Sequence, residues 1–158
     1  MPVVIDGYNL FRMVQKTESF ASLTDYQLCC LISAYLETIK DHGQIVFDGI
    51  GPPDREKFFH FVNLGVVYSG RSIEADDVIE EHVLASTAPK RLSVISSDRR
   101  IRAAGKKRKC IVLKSDEFWE KLIKQLSRNP KKSREPAAKR QGISKAETEQ
   151  WLKDFGLK

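Results

Sequence analysis

The residues of this chain that could do chemistry are carboxylates, amides and hydroxyls placed directly after short apolar segments. Five polar residues follow such segments: Asp6, Asn9, Asp48, Ser97 and Asp98. Two more, Asp76 and Asp77, stand at the start of a predicted helix that follows another apolar segment. Carboxylates that pack together repel each other unless a cation neutralises them. Oxygen-only ligands favour Mg²⁺ or Mn²⁺, and such an ion can activate a water for attack on a phosphodiester.

Each of these residues also has a simple structural role that stays open at this point. Asp48 precedes a glycine and can be a turn residue, whereas Asp98 can cap a helix that begins with the next residue. The acids at the predicted helix start can stabilise the positive end of its dipole. Asn9 and Ser97 can form turn hydrogen bonds or contact a phosphate. It is their joint placement at one sheet edge that favours a site.

A run of cations follows the last of these carboxylates. Seven of the eleven residues 99–109 are Lys or Arg, and Arg71 lies in the loop before the acidic helix start. Cations beside carboxylates are expected where a polyanion is held over a bound metal, and such contacts position a strand without reading its sequence. For Tyr8 and Phe11 we expect core packing, with stacking on a base as the alternative. The candidate phosphate-binding residues are Arg71, Arg99, Arg100, Arg102, Lys106, Lys107, Arg108 and Lys109.

The net charge of +6 is unevenly distributed along the 158 residues. Residues 1–98 carry 8 Lys and Arg against 14 Asp and Glu, whereas residues 99–158 carry 19 against 7. This asymmetry favours a metal or acid–base site beside a surface that binds a polyanion. A solvated face followed by a basic tail is the alternative.

Size and cysteine content exclude several classes of protein. The length fits about one domain, and no apolar run approaches the ~18–20 residues of a membrane helix, so we expect no membrane partner. The three cysteines, Cys29, Cys30 and Cys110, have neither a disulfide framework nor metal-ligand spacing. A reducing, cytoplasmic location is the simplest expectation.

The elements that must position the polar residues alternate between strand and helix. Helices are predicted after a capping box at Thr24, from Glu74 to Ser86, and from Ser115 as an N-cap. This alternation predicts an α/β fold with a central, mostly parallel five-stranded sheet flanked by helices. The strand ends then share one edge, where ligands bind. The strands are predicted at Val3–Asp6, Gln44–Asp48, Val66–Ser69, Leu92–Ser96 and Cys110–Leu113.

The composition changes after the last predicted helix of this domain. Residues 127–141 carry six Lys and Arg against one Glu, with two Pro and no apolar stripe, which predicts a basic linker. Residues 142–158 contain a capping box and three apolar residues on one helical face, which predicts a short C-terminal helix. The predicted organisation is therefore a domain over 1–126, a linker and a helix.

Taken in order, five motifs resemble those of the NYN domains, and most closely the YacP-like branch, which is related to the PIN-domain ribonucleases. The resemblance covers roughly residues 1–126, and residues 127–158 lie outside it. The motifs are Val4-Ile5-Asp6-Gly7-Tyr8-Asn9-Leu10, Val46-Phe47-Asp48-Gly49, Val67-Tyr68-Ser69-Gly70, Glu74-Ala75-Asp76-Asp77-Val78-Ile79-Glu80 and Ile95-Ser96-Ser97-Asp98-Arg99.

This resemblance implies a PIN-like three-layer α/β fold and metal-dependent endoribonuclease activity. Asp6, Asp76 and Asp98 take the principal acidic positions of the family and are the expected metal ligands. The nearby residues expected to assist catalysis are Asn9, Asp48, Asp77 and Ser97. Bacterial members of the family suggest action on mRNA or on structured RNA, in some cases in association with the ribosome.

We therefore expect an endoribonuclease that uses Mg²⁺ or Mn²⁺, with Asp77 or Asp48 orienting a second ion or the attacking water. A non-catalytic RNA- or ribosome-binding module that keeps the acidic pocket is the main alternative. A phosphotransfer domain of the haloacid-dehalogenase or receiver type is disfavoured. Asp6 is followed by Gly7-Tyr8 rather than by the second Asp that such hydrolases use. No feature of the sequence indicates an oligomeric state.

Overall fold

A computed structural model describes residues 2–128, and its elements alternate between strand and helix as predicted. The predicted C-terminal helix and almost all of the predicted linker lie outside the described residues. The strands are β1 (Val3–Asp6), β2 (Gly43–Phe47), β3 (Leu64–Tyr68), β4 (Ser93–Ile95) and β5 (Ile111–Leu113). The α-helices are α1 (Gly7–Gln15), α2 (Asp25–Thr38), α3 (Ala75–Ala85), α4 (Arg99–Lys107) and α5 (Ser115–Ser127). Short 3₁₀ helices span Glu18–Phe20, Arg55–His60 and Pro89–Arg91.

The five strands form one sheet in the order β3-β2-β1-β4-β5. Every pair of neighbouring strands among them is parallel, and Val4 of the central strand lies opposite both Gln44 and Val94. The predicted mostly parallel five-stranded sheet is thus confirmed. The strand order reverses between β1 and β4, and ligands of open parallel sheets bind at such a switch point, outside the carboxyl ends of the strands.

Side chains alternate between the two faces of the sheet, so that each strand contributes to two separate cores. On one face Ile5, Ile45 and Ile95 pack with apolar residues of α1, α2 and α5. On the other face Val46 and Val94 pack with α3 and with Ile101 of α4. The sheet is therefore the middle of three layers. This two-sided burial explains why the strands are apolar runs rather than alternating patterns.

Strand β1 has the predicted bounds, whereas β2, β3 and β4 each end one residue earlier than predicted. In these three strands the polar residue that closes the apolar run lies just outside the ladder. Asp48 follows β2, and its carboxylate accepts a hydrogen bond from the backbone N–H of Ala75. Ser96 follows β4, and its hydroxyl binds Asp6. These side chains bond to neighbouring elements, and they begin the loops at the carboxyl edge of the sheet.

Two predicted helix starts have different outcomes. The capping box at Thr24 is confirmed, because its Oγ1 accepts from the Gln27 backbone N–H at 3.1 Å. Ser115 as an N-cap is wrong: Lys114 is the N-cap residue, and Ser115 is a buried first residue of α5. Its hydroxyl is used by Asn9 instead. Helix α5 ends at Ser127, one residue inside the range predicted as linker.

None of the helices within residues 2–128 has the length and apolar character needed to cross a membrane.

Candidate functional site

A cavity of about 500 Å³ opens at the carboxyl edge of the sheet, at the switch point between β1 and β4. Four carboxylates line it, each from a different part of the chain: Asp6, Asp48, Asp76 and Asp98. Asn9 and Ser97 line it as well. The structure therefore brings together six of the seven residues predicted to be catalytic, including the three principal acids.

Asp6 is the buried member of the group, with 6% of its surface exposed. It ends β1 and caps α1, because its Oδ1 accepts from the backbone N–H of Asn9 at 3.4 Å. Burial raises the pKa of Asp6 to about 6, and the nearby charges of Asp76 and Asp98 add to the rise. The hydrogen bonds from Ser96 and Asn9 oppose it. Ionised Asp6 thus calls for a cation nearby.

Ser96 connects two of the acids and is a residue that sequence reasoning missed. It is fully buried, and its hydroxyl donates to Oδ2 of Asp6 at 2.9 Å. Oγ of Ser96 also accepts from the backbone N–H of Asp98 at 3.0 Å. The only signal in the sequence was a serine at the end of an apolar run, which is an ordinary strand ending.

Asp98 and Asp48 each combine a structural role with a place in the cavity. Oδ1 of Asp98 accepts from the backbone N–H groups of Arg100 and Ile101 at 2.9 and 3.3 Å, so it caps α4. Oδ1 of Asp48 accepts from Ala75 at 2.7 Å and fixes the start of α3 beside β2. In each carboxylate one oxygen is held by backbone, which sets the side chain's orientation.

Asp76 and Asp77 are adjacent in α3 but have different surroundings. Burial raises the pKa of Asp76, the charge of Asp98 raises it further, and Arg100 opposes the rise. Asp77 is exposed, and the hydrogen bond from Arg100 lowers its pKa. Its Oδ1 lies 2.7 Å from Nη2 of Arg100, and Arg100 also binds both carboxylate oxygens of Glu80 at 2.8 Å. Asp77 is thus used in joining α3 to α4 and does not line the cavity.

Asn9 is held by two donors, one in the loop after β4 and one at the first residue of α5. Its Oδ1 accepts from the Ser97 backbone N–H at 2.9 Å and from the Ser115 hydroxyl at 2.6 Å. Ser97 Oγ in turn accepts from the Ser115 backbone N–H at 3.1 Å. Two donors on one oxygen fix the orientation of the amide. The NH₂ group of Asn9 is therefore the part available to a ligand.

The eight cations predicted to bind phosphate all lie among the described residues, and none of them lines the cavity. Arg100 is engaged by two carboxylates of α3. Arg108 donates to the backbone oxygens of Ser86 and Val83 at 2.7 and 3.5 Å, so it binds the end of α3. Arg102 is half-buried. The exposed members of the set are Arg71, Arg99, Arg100, Lys106, Lys107 and Lys109.

Two cations that sequence reasoning missed do line the cavity. Arg12 lies in the last turn of α1, and Lys16 is the residue that caps its C-terminus. Tyr8 lines the cavity with them, and it is 38% exposed rather than part of the core. Phe11, by contrast, packs against the core as expected. The helix itself was missed because it follows β1 without a loop. Its sequence signal was Asp6 in the capping position ahead of apolar residues four apart, Leu10 and Val14.

The donor set of the cavity fits a hydrated divalent ion. Within residues 2–128, no group of three or more His, Cys, Asp or Glu side chains is placed to hold a metal ion by itself. Four carboxylates nevertheless face one cavity, and two of them have pKa values raised by burial and by mutual repulsion. Mg²⁺ usually keeps several waters and takes one or two protein carboxylates. Asp6, Asp76 and Asp98 are the residues that could hold such an ion.

Comparisons with known proteins agree with this architecture. The sequence model of one family, described as the YacP-like NYN domain, matches residues 3–155 and so extends past the region over which the motifs were recognised. Two crystal structures of Rae1 (YacP) from Bacillus subtilis superpose on the chain. One has a TM-score of 0.66 at 21% identity and covers 99% of this chain and 92% of that chain. The other, a point mutant, has a TM-score of 0.65 at 13% identity and covers 98% and 91%. At these identities the likeness shows the fold. No curated protein matches the chain.

Proposed function

The chain belongs to the family of YacP-like NYN domains, and from this premise we propose that it is an endoribonuclease that depends on Mg²⁺ or Mn²⁺. The family is nuclease-like. Metal dependence and internal cleavage of RNA are proposed from the geometry of the site described above. The observation that carries this proposal is the convergence of four carboxylates on one cavity at the switch point of the sheet.

Asp6, Asp76 and Asp98 would hold the ion, directly or through its waters. When bound, the ion supplies Lewis-acid stabilisation of phosphate charge and lowers the pKa of a water. Of the two residues first considered for orienting that water, Asp48 is the better candidate. It lines the cavity, whereas Asp77 is engaged by Arg100.

The remaining polar groups have roles that follow from their hydrogen bonds. The Ser96 hydroxyl donates to Oδ2 of Asp6, and this bond fixes the orientation of the whole carboxylate. Asn9, with its oxygen occupied by two donors, offers its NH₂ group to a phosphate oxygen of the substrate. Ser97 supports this arrangement through its contact with Ser115. Fixed donors of this kind stabilise developing charge without reorganising during the reaction.

The proposed substrate is mRNA or structured RNA in the cytoplasm, either free or held by a ribosome. The cavity and its cations suit a phosphodiester backbone, and phosphate contacts impose no sequence. The cations of α4 and of residues 127–141 would add non-specific, salt-dependent affinity.

A second candidate, an RNA- or ribosome-binding module without catalysis, is favoured by one specific observation. Within residues 2–128, three or more His, Cys, Asp or Glu side chains are nowhere placed to hold a metal ion by themselves. A module of this kind would bind RNA through the same cations and leave the phosphodiester intact at any metal concentration.

The deciding experiment is cleavage of a labelled RNA by the full chain in Mg²⁺, in Mn²⁺ and in EDTA. Asp98→Asn is run beside the wild type, because asparagine also caps helices well and should preserve α4. Asp116→Asn, an exposed acid of α5, is the matched control. Internal cuts that need metal, persist in Asp116→Asn and vanish in Asp98→Asn support the nuclease. Binding without cutting, with free RNA and again with ribosomes, supports the second candidate.

A further inference from the structure

Building on the proposed function, we infer that α1 carries a binding site for a single-stranded segment of the RNA. In this site Tyr8 and Arg12 form a platform on which an unpaired base stacks, and Lys16 pairs with a backbone phosphate. The prediction from the sequence had placed the phosphate-binding groups on α4 and in the loop before α3. The side chains around the cavity point to α1 instead.

The three residues share one face of the helix and one cavity. Tyr8, Arg12 and Lys16 follow each other at intervals of four residues, which places them in line, about 6 Å apart along the helix axis. All three line the cavity that the four carboxylates also line. A strand that lies along α1 therefore has its backbone beside the carboxylates.

Tyr8 and Arg12 are already arranged as a stacked pair. The guanidinium carbon of Arg12 lies 5.4 Å from the centre of the Tyr8 ring. The ring is braced by the buried Phe47, with ring centres 5.9 Å apart and planes at 87°. Bases of single strands stack on aromatic rings and on arginine planes, and this contact tolerates any sequence. Bases within a duplex do not expose their faces, so the platform selects an unpaired base.

The cations of this face have no carboxylate partner within the described residues. Arg12 and Lys16 are exposed, and the ion pairs of residues 2–128 do not include them. By contrast, Arg100 of α4 and Arg108, which caps that helix, are engaged by α3. Arg99 is exposed but does not line the cavity. Unpaired cations beside a group of carboxylates complement the backbone phosphates of a polyanion.

Arg12 also stands in the last turn of α1, where a cation stabilises the helix dipole. A purely structural role would change the stability of the protein and leave RNA affinity unaltered. The experiment therefore measures affinity and thermal stability together.

The probe is a short fluorescein-labelled single-stranded RNA, compared with the same RNA annealed to its complement. Binding to the full chain is followed by anisotropy in EDTA, so that cleavage does not interfere, over a series of salt concentrations. The variants are Tyr8→Ala, Tyr8→Phe, Arg12→Gln and Lys16→Gln, with Lys90→Gln as the control. Lys90 is an exposed cation of the 3₁₀ helix before β4, at the opposite edge of the sheet.

Tyr8→Ala should weaken binding of the single strand about tenfold, and Tyr8→Phe should keep the wild-type affinity. Arg12→Gln and Lys16→Gln should each reduce the slope of log K against log salt by about 0.7. Duplex binding should change little in the Tyr8 variants, and Lys90→Gln should behave as the wild type. Unaltered single-strand affinity in Tyr8→Ala and Lys16→Gln, both folded by thermal melting, would overturn the inference, as would a wild-type preference for duplex.

The cleavage assay in metal separates this inference from the proposed function. If Tyr8→Ala loses affinity for the single strand and the wild type cleaves no RNA, the α1 site is supported and the proposed nuclease activity is refuted. If the wild type cleaves RNA in the presence of metal and Tyr8→Ala keeps its full affinity for the single strand, the nuclease is supported and the α1 site is refuted.

Discussion

The hydroxyl of Ser96 lies 2.9 Å from Oδ2 of Asp6, although the two residues are 90 positions apart in the chain. The same hydroxyl oxygen accepts the backbone N–H of Asp98. One fully buried serine therefore sets the relative positions of two of the three principal acids. Its contribution can be measured without touching a carboxylate.

Ser96→Ala should lower both stability and metal affinity. It leaves a buried carboxylate oxygen and a backbone N–H without a partner, which costs about 1–3 kcal/mol in the free energy of unfolding. Loss of a group that orients metal ligands typically weakens metal binding or activity by about 10–100-fold. Urea unfolding and Mn²⁺ titration measure the two effects. Ser93→Ala, at the other end of β4, is the control, and equal behaviour of the two variants would contradict the assignment.

The contribution of Asp6 to the stability of the metal-free protein should fall as the pH rises from about 4 to about 6. Burial raises the pKa of Asp6 from 3.8 to about 6, so in this window the folded protein holds a proton that the unfolded chain releases. The free energy of unfolding is then highest below the unfolded pKa and declines through the folded one, by up to about 3 kcal/mol. Asp6→Asn should lack this decline and be more stable than the wild type at pH 7 in EDTA. Urea unfolding over this pH range measures the difference. If the free energies of unfolding of the two proteins change with pH in parallel, the prediction is wrong.

Arg100→Gln should move the acid limb of the pH–activity profile to higher pH. Arg100 opposes the rise in the pKa of Asp76, so its removal raises that pKa and protonates the carboxylate earlier as the pH falls. Arg100→Lys keeps the charge and should leave the limb close to its original position. Melting temperature should change little, because exposed ion pairs contribute little to stability. If Arg100→Gln behaves like Arg91→Gln, a variant of an exposed arginine outside the site, the assignment is wrong.

Gly7→Ala should destabilise the protein by about 1–3 kcal/mol through overpacking. A Cβ at Gly7 would lie 2.6 Å from Cδ1 of Phe47 and 2.8 Å from the backbone oxygen of Val46. Since α1 begins at Gly7, the helix must shift, and the residues that it presents to the cavity shift with it. At Gly65 the nearest atom to an added Cβ is Cγ of the flexible Gln44 side chain at 3.3 Å, and the nearest backbone atom is the Gly43 oxygen at 3.9 Å, so Gly65→Ala serves as the control. Urea unfolding compares the two, and equal stabilities would exclude the proposed clash.

Much of the architecture could be predicted because it follows from local patterns. Apolar runs without alternation indicated strands buried on both sides, and their spacing implied parallel crossovers. Once the sheet is parallel, Asp6 and Asp98 must meet at one edge, and Asp76 joins them because α3 begins at that edge. The convergence of the carboxylates is thus a consequence of topology, which the sequence encodes in its periodicity.

The cations could not be assigned in this way, because a side chain's partner depends on the packing of separate helices. A basic run looks the same in sequence whether its members are free or engaged. Arg100 bridges two helices through carboxylates of α3. Arg12 lines the cavity and takes part in none of the ion pairs within residues 2–128. The role of Ser96 could not be predicted either, because a serine at a strand end has many ordinary uses.

The central place of β1 has a consequence for how each molecule comes into being. This strand is made before the other four, but it lies between β2 and β4 in the finished sheet. Its partner on one side, Val94, is made 90 residues after Val4. A nascent chain that stops short of β4 has a bare edge on its central strand and lacks both Ser96 and Asp98. Contacts this distant in sequence slow folding. The group of carboxylates therefore forms late in synthesis. A fragment that ends before Asp98 cannot carry the complete site.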